Sequence, residues 1–273
     1  MRNRFLFVFV LLVSIHVQAQ DSIRKNMLSL SWGMGAIARQ DLIFSPFIHS
    51  DVSFTNFGLE YRREGRLFQS VQFRYAGFNP MVSEPYDFTV HGEKEHAYPH
   101  TFTIVDLDYM IGKKVKQINK YTFTAGGLFT ADVQAMNYVY GRISSLGYYA
   151  AFGLGVFGKT DYALNEKSKL TAMLKLPIVA WLARSPYLVN DDQFIENISS
   201  HSGFNSFMAF IEDGKLATWN RVQTFDVQLQ YTYTLSSKWE LGAAYLFEFI
   251  HSGQPRNLLS YRNSLYISAN FRF

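Results

Sequence analysis

One short stretch of the chain is rich in side chains that bind metals. Within ten residues, the segment 78–100 holds three of the seven histidines together with two glutamates: His91, Glu93, Glu95, His96 and His100. Imidazole and carboxylate groups are common ligands of zinc and other divalent transition metals. The segment contains no His-Glu-x-x-His motif. A metal site is therefore one interpretation, and a solvated polar loop that binds no metal is the simpler one. No cofactor is predicted from any motif in the chain.

A second candidate chemistry is hydrolysis at histidine and serine. Three histidines are directly followed by serine: His49-Ser50, His201-Ser202 and His251-Ser252. Adjacent residues on a strand point to opposite faces, so neither member of such a pair can activate the other locally. A catalytic group would have to assemble across loops, and its candidates are His49, His201, Asp191 and Asp192. A hydrolase or peptidase is therefore the less favoured alternative.

Charged side chains also recur on the polar face of alternating segments. The set contains six acids and five bases: Glu60, Arg62, Arg74, Asp106, Asp108, Lys175, Asp226, Glu240, Glu248, Arg262 and Arg272. An isolated buried ion costs several kcal/mol, so we expect these charges to pair with one another. The alternative is a proton or ion path centred on Asp106 and Asp108.

Strict alternation of apolar and polar residues identifies the elements that carry these charges. In segment 222–235, Phe225, Val227 and Leu229 share one face, while Asp226 and Gln228 lie on the other. Alternation of this kind is typical of β-strands. Strands in soluble proteins average about 5–6 residues. The segments found here run to between nine and fifteen, which is the length that a tilted strand needs to cross an outer membrane.

The alternation predicts an all-β transmembrane barrel of about ten strands. The predicted strands are 27–37, 50–63, 66–77, 101–113, 120–131, 145–158, 169–182, 221–235, 238–250 and 261–273. Short connections at 64–65, 115–119, 160–168 and 236–237 alternate with long ones at 38–49, 78–100, 132–144, 183–220 and 251–260. This is typical of an antiparallel up-and-down barrel with short periplasmic turns and long extracellular loops. Two further strands, around 83–99 or 204–219, would raise the count to twelve.

The start of the chain predicts export. Arg2 and Arg4 precede an apolar run over 5–15, and Val17-Gln18-Ala19 supplies small residues for cleavage. This pattern indicates a signal peptide over 1–19, followed by a barrel over 20–273. The apolar run is too short to cross a bilayer, which requires about 20 residues. Loss of Arg2 and Arg4 lowers the formal net charge from +4 to +2, so the charge gives no reason to expect nucleic-acid binding.

Composition excludes several other classes of protein. The chain has no cysteine, which excludes disulfide scaffolds, thiolate zinc sites and cysteine nucleophiles. Only 18% of the residues are charged, and 48% are hydrophobic, so the chain is not disordered. The mean hydropathy is near zero, at −0.05, which does not suit a helical membrane protein.

The last strand carries the most specific signal. Leu265, Ile267, Phe271 and the terminal Phe273 alternate with polar residues, so the chain ends on an aromatic side chain of the apolar face. In this respect the sequence resembles the bacterial outer-membrane β-barrel superfamily. The resemblance implies a Gram-negative outer membrane, contact with its lipid, and recognition by the barrel assembly machinery. The Val-Gln-Ala-Gln signal end resembles Bacteroidota proteins.

The longest loop, 183–220, is unusually apolar. Its aromatic residues include Phe194, Phe204, Phe207 and Phe210. Exposed apolar groups in such number need a partner, so the loop either covers the barrel mouth or docks a protein or a glycan. The first hypothesis is therefore a barrel with a closed or narrow charged lumen, acting as a structural or binding component through its loops. A porin-like small-solute channel is the alternative, and a hydrolase or peptidase at the rim is the second.

Overall fold

A computed structural model describes residues 25–81, 87–140, 143–185, 208–209 and 211–273. Its strands are β1 (Asn26–Asp41), β2 (His49–Ser53), β3 (Asn56–Glu64), β4 (Phe68–Phe78), β5 (Asp87–Val90), β6 (Glu93–His96), β7 (Thr101–Ile118), β8 (Tyr121–Tyr140), β9 (Ile143–Ala163), β10 (Ser168–Arg184), β11 (Lys215–Thr218), β12 (Val222–Thr234), β13 (Trp239–Ser252) and β14 (Leu258–Arg272). Among these described residues, no helix is both long enough and apolar enough to cross a membrane.

The main sheet closes into a ten-strand antiparallel barrel, which confirms the predicted fold class. Around the ring the order is β1, β3, β4, β7, β8, β9, β10, β12, β13 and β14, and β14 pairs with β1. At this last seam the Asn26 N–H donates to the Phe273 carbonyl at 3.2 Å, and the Phe273 N–H donates to the Asn26 carbonyl at 2.9 Å. The first and last strands therefore leave no free edge.

Four short strands lie outside this ring of ten. β2 and β11 pair with β1 and β10, and they continue the paths of β3 and β12 toward the extracellular side. β5 and β6 form a separate hairpin. Strands therefore occur in both regions where the sequence allowed further ones, 83–99 and 204–219, but within the described residues they do not widen the ring beyond ten.

The prediction of a loop over 132–144 is wrong, because β8 and β9 stay paired up to Tyr140 and Ile143. Alternation continues through this region, but Met136 and Tyr138 are buried on the inner face of the barrel. Lower down, the inner face carries the polar residues. The reversal of polarity conceals the strand from a search for an apolar outer face.

The two faces of the barrel have opposite chemistry. Apolar side chains point outward and are exposed, for example Leu30 at 65%, Leu154 at 58% and Ile267 at 63%. Many of the buried side chains on the inner face are charged or carry a hydroxyl group. This arrangement reverses that of a soluble protein and suits a barrel whose outer wall contacts lipid.

The backbones of β7 and β8 approach each other closely at Gly126 in β8. A Cβ atom added at Gly126 would lie 2.1 Å from the Ile111 carbonyl oxygen of β7, whereas a Cβ atom at Gly127 would meet nothing within 4 Å. We expect Gly126→Ala to lower the free energy of unfolding by at least about 2 kcal/mol, because backbone must move to admit the methyl group. Gly127→Ala is the matched control, and its effect should stay within about 0.5 kcal/mol. Urea unfolding in lipid vesicles measures both, and equal effects would contradict the close approach.

Candidate functional site

Seven charged side chains meet inside the middle of the barrel. We call them the central network: Arg74, Asp106, Asp108, Lys175, Asp226, Glu248 and Arg262. Strand register brings them to similar heights, because Lys175 pairs with Asp226, Asp226 with Glu248, and Glu248 with Arg262 on successive strands. On the facing wall, Arg74 pairs with Asp106. The cations on each of these two walls thus face carboxylates on the other wall.

Arg74 is the centre of this network. Its Nη1 lies 3.2 Å from Asp108 Oδ2, and its Nη2 lies 3.1 Å from Glu248 Oε1 and 3.7 Å from Asp226 Oδ2. Its Nε lies 3.5 Å from Asp106 Oδ2. One guanidinium therefore interacts with carboxylates from three other strands, β7, β12 and β13. Because these strands lie on different sides of the ring, the contacts cross the lumen.

Lys175 and Arg262 complete the crossing contacts. Lys175 Nζ pairs with Asp108 and donates to Gln72 Oε1 at 3.1 Å. Arg262 pairs with Asp106 and with Glu248. The cavity left around these groups is about 50 Å³, which is room for one or two water molecules at roughly 30 Å³ each. These contacts narrow the lumen at this height.

Asp132 is a member of this region that sequence reasoning missed. It faces Asp106 across the β7–β8 pair and lines the same cavity. Both of its carboxylate oxygens accept from Gln134 Nε2 at 3.0 Å. The sequence prediction placed Asp132 at the start of a loop. The only sequence signal that could have placed Asp132 in the lumen is the reversed polarity of the two faces in the upper part of β8.

A second set of ion pairs lies toward the periplasmic end. Arg62 Nε is 2.9 Å from Glu60 Oε1, and Arg272 Nη2 is 2.8 Å from Glu240 Oε1. With the central network, these pairs account for all eleven charged residues that the sequence assigned to the lumen. Three further residues join them at this end: Glu64, Lys159 and Asp161. The sequence prediction missed these three because it ended strands at 63 and 158, before reaching them.

The extracellular mouth is closed by a different kind of contact. Buried apolar and aromatic side chains form what we call the mouth cluster: Phe44, Phe78, Phe102, Met136, Tyr138, Tyr149 and Leu258, with smaller neighbours. The Phe44 and Tyr138 rings stack with their centroids 4.6 Å apart. Phe44 lies in the connection after β1, so part of that loop folds inward and packs against the upper strands.

A buried ion triad lies next to the mouth cluster. Asp41 Oδ1 is 2.7 Å from Arg184 Nη2, and Asp41 Oδ2 is 3.2 Å from Arg39 Nη2. Arg39 also donates to Gln134 Oε1 at 2.6 Å. Sequence reasoning assigned all three charged residues to loops. They extend the charge pairing of the lumen up to the apolar closure.

Two of the candidate histidines lie within this closure. The rings of His49 and His100 have centroids 4.8 Å apart and are both buried. His100 Nδ1 accepts from the Val139 N–H at 2.8 Å, which places the proton of the neutral ring on Nε2. Burial lowers the pKa of His100, which favours this neutral form. A metal bound at Nε2 would require that proton to leave.

The described residues do not assemble a catalytic pair from the candidate histidines. Both ring nitrogens of His49 are buried without a hydrogen-bond partner in the part of the chain that the structure describes. His251 instead contacts two amides, Gln223 Oε1 at 3.1 Å and Asn257 Oδ1 at 2.9 Å. His201, Asp191 and Asp192 lie outside the described residues. A hydrolytic site at the rim stays an untested hypothesis.

The predicted metal ligands are spread over different surfaces. His91 occupies the turn between β5 and β6 with φ 52°, and His96 Nδ1 lies 2.7 Å from Asp87 Oδ1. Glu93 and Glu95 alternate with His96 along β6, so they point to its other face. His100 belongs to the barrel mouth. Across the described ranges, no group of three or more His, Asp or Glu side chains is close enough to hold a metal ion.

The remaining predicted residues concern the two ends of the barrel. Leu265, Ile267 and Phe273 point outward and are exposed, and Phe271 packs against Trp239 with ring centroids 5.0 Å apart. This is the lipid-facing register expected of the assembly signal, whose recognition itself stays a prediction. The loop residues Phe194, Phe204, Phe207 and Phe210 lie outside the described residues.

Comparison with known proteins finds the same kind of fold among solved structures. No protein-family model matches the sequence, and no curated protein matches it detectably. Among solved structures, the outer membrane protease OmpT from Escherichia coli is similar with a TM-score of 0.53 and 6% identity, over 94% of this chain and 99% of that one. The translocator domain of the autotransporter NalP from Neisseria meningitidis gives a TM-score of 0.44 and 8% identity, over 99% and 94% of the two chains.

These comparisons define a class of protein and no narrower group. At 6% identity, the likeness to OmpT shows the fold alone. The closed ten-strand ring and the apolar outer wall, taken together with this fold, are those of a β-barrel of the Gram-negative outer membrane.

The central network makes a testable contribution to stability. Lys175→Met leaves the buried Asp108 with one cation fewer and should lower the free energy of unfolding by about 3–5 kcal/mol. Lys116→Met, at an exposed position of the β7–β8 hairpin, removes the same charge and should change it by less than about 0.5 kcal/mol. Guanidinium unfolding of both variants in lipid vesicles gives the comparison. Similar losses in the two variants would show that the network does not stabilise the barrel.

Proposed function

We propose that this protein is a non-conducting outer-membrane barrel that acts as a structural or binding component through its extracellular end. The observation that carries the proposal is the set of ion pairs that cross the lumen in the central network, which leave a cavity of only about 50 Å³ beside them. A path for solutes would have to break several buried ion pairs at once. Removal of one partner from such a pair costs about 3–5 kcal/mol.

The mouth cluster gives a second reason to favour function at the outer surface. Its rings are packed at van der Waals distance, and the long β8–β9 hairpin holds them from one side. We expect this packed cluster to give the extracellular loops a firm support. The apolar loop 183–220, with Phe194, Phe204, Phe207 and Phe210, supplies the candidate contact surface for a protein or glycan partner.

The porin-like alternative is decided by conductance. In a planar bilayer, the refolded wild type should give no steady single-channel current, because the central network and the mouth cluster both obstruct the lumen. Heat-modifiable migration on a gel first demonstrates that the barrel has folded, and a sixteen-stranded porin in the same bilayer serves as the positive control. Steady ion-selective current from the folded wild type would refute the closed-lumen proposal.

The binding role is tested by deletion in the apolar loop. Removal of 194–211 should abolish capture of an extracellular protein or glycan by the immobilised barrel, because it deletes the four aromatic residues proposed as the contact. The matched control deletes the β5–β6 hairpin, residues 87–96, which lies at the same end. The proposal fails if the 194–211 deletion retains the binding seen with the wild type, or if both deletions reduce binding equally.

A further inference from the structure

The periplasmic end of the barrel contains a pocket of about 190 Å³. It lies against the inner faces of β7, β8, β9 and β10, on the opposite side of the central network from the mouth cluster. Four lysines line it: Lys114, Lys120, Lys159 and Lys169. Only two carboxylates do so, Glu64 and Asp161. The pocket therefore carries an excess of positive charge in a lumen where the other charges are closely matched.

The two carboxylates are already engaged by two of the lysines. Lys159 Nζ lies 3.0 Å from Asp161 Oδ2 and 3.6 Å from Glu64 Oε1. Lys169 Nζ lies 4.0 Å from Asp161 Oδ1. Lys159 also sits over the Phe68 ring, 4.7 Å from its centroid, and its side chain is only 3% exposed. These contacts fix a buried ammonium group at the base of the pocket.

The other two lysines contribute charge that no carboxylate balances. Within the described part of the chain, neither Lys114 nor Lys120 forms an ion pair, and Lys120 Nζ donates only to the Leu164 carbonyl at 3.3 Å. Strand register places Lys114 opposite Thr124, and Thr124 opposite Lys159. Thr122 and Thr124 line the same pocket. Ammonium and hydroxyl donors thus converge on one space.

We propose that this pocket binds a phosphate group. Ammonium groups of lysine are point-charge ligands for phosphate, and the threonine hydroxyls add neutral donors. A volume of about 190 Å³ holds a tetrahedral oxyanion with several waters, at roughly 30 Å³ per water. The same chemistry is available from free inorganic phosphate and from a phospholipid headgroup at the inner leaflet. This inference does not depend on the proposed role of the extracellular end.

The test removes the two lysines that have no carboxylate partner. Lys114→Gln with Lys120→Gln should weaken phosphate binding roughly tenfold, as expected for the loss of two ammonium contacts. The matched control, Lys116→Gln with Lys238→Gln, removes the same charge from the same end outside the pocket and should change binding less than about twofold. Heat-modifiable migration shows that every variant has folded, and ionic strength is held constant.

Two arms distinguish the sources of phosphate. In one, inorganic phosphate is titrated by calorimetry into the barrel in a zwitterionic micelle. In the other, the barrel is reconstituted with phosphatidylcholine, and spin-labelled phosphatidylglycerol reports retention of the headgroup next to the protein. A general phosphate site is supported if the Lys114→Gln, Lys120→Gln variant binds more weakly in both arms while the control variant does not. A headgroup site is supported if this weakening is seen only in the lipid arm. No binding by the wild type in either arm, or equal weakening in both double variants, overturns the proposal.

Discussion

A sheet that crosses hydrocarbon cannot leave an edge of unpaired N–H and carbonyl groups, because each would lose its hydrogen bonds to water. The pairing of β14 with β1 meets this requirement and fixes the ring at ten strands. Ten strands enclose a narrow space, so inward side chains in the middle of the ring meet others from across it. The chemistry of the lumen follows from this closure, since charges that face inward must find partners at short range.

The central network shows how that requirement is met. Burial of one ion costs several kcal/mol, and attraction to a single partner seldom compensates for it. Here each cation interacts with more than one carboxylate, and Arg74 interacts with four. Because the partners come from different strands, the same contacts that lower the desolvation penalty also hold the walls of the ring together. Closure of the lumen is therefore a consequence of how the charges are stabilised.

The sequence predicted most of this, and its failures have a common physical origin. Length and alternation predicted ten strands because lipid requires a continuous apolar outer face, which leaves a clear period of two. The inward charges from Glu60 to Arg272 followed from the same period. The strand positions of Arg39, Asp132 and Tyr138 were missed because the strands continue above the membrane, where no lipid enforces an apolar outer face. The pairing of particular charges was also out of reach, because it depends on distances across the ring.

The two ends of the lumen differ in chemistry, and this difference bears on function. At the extracellular end, Phe44, Phe102 and Tyr138 exclude water, and burial lowers the pKa of His100 so that the neutral ring is favoured there. At the periplasmic end, Lys114 and Lys120 are exposed beside a pocket with a polar lining. An apolar closure gains stability by packing. A basic pocket gains little from packing, so its surplus of charge is better explained by a ligand than by the fold.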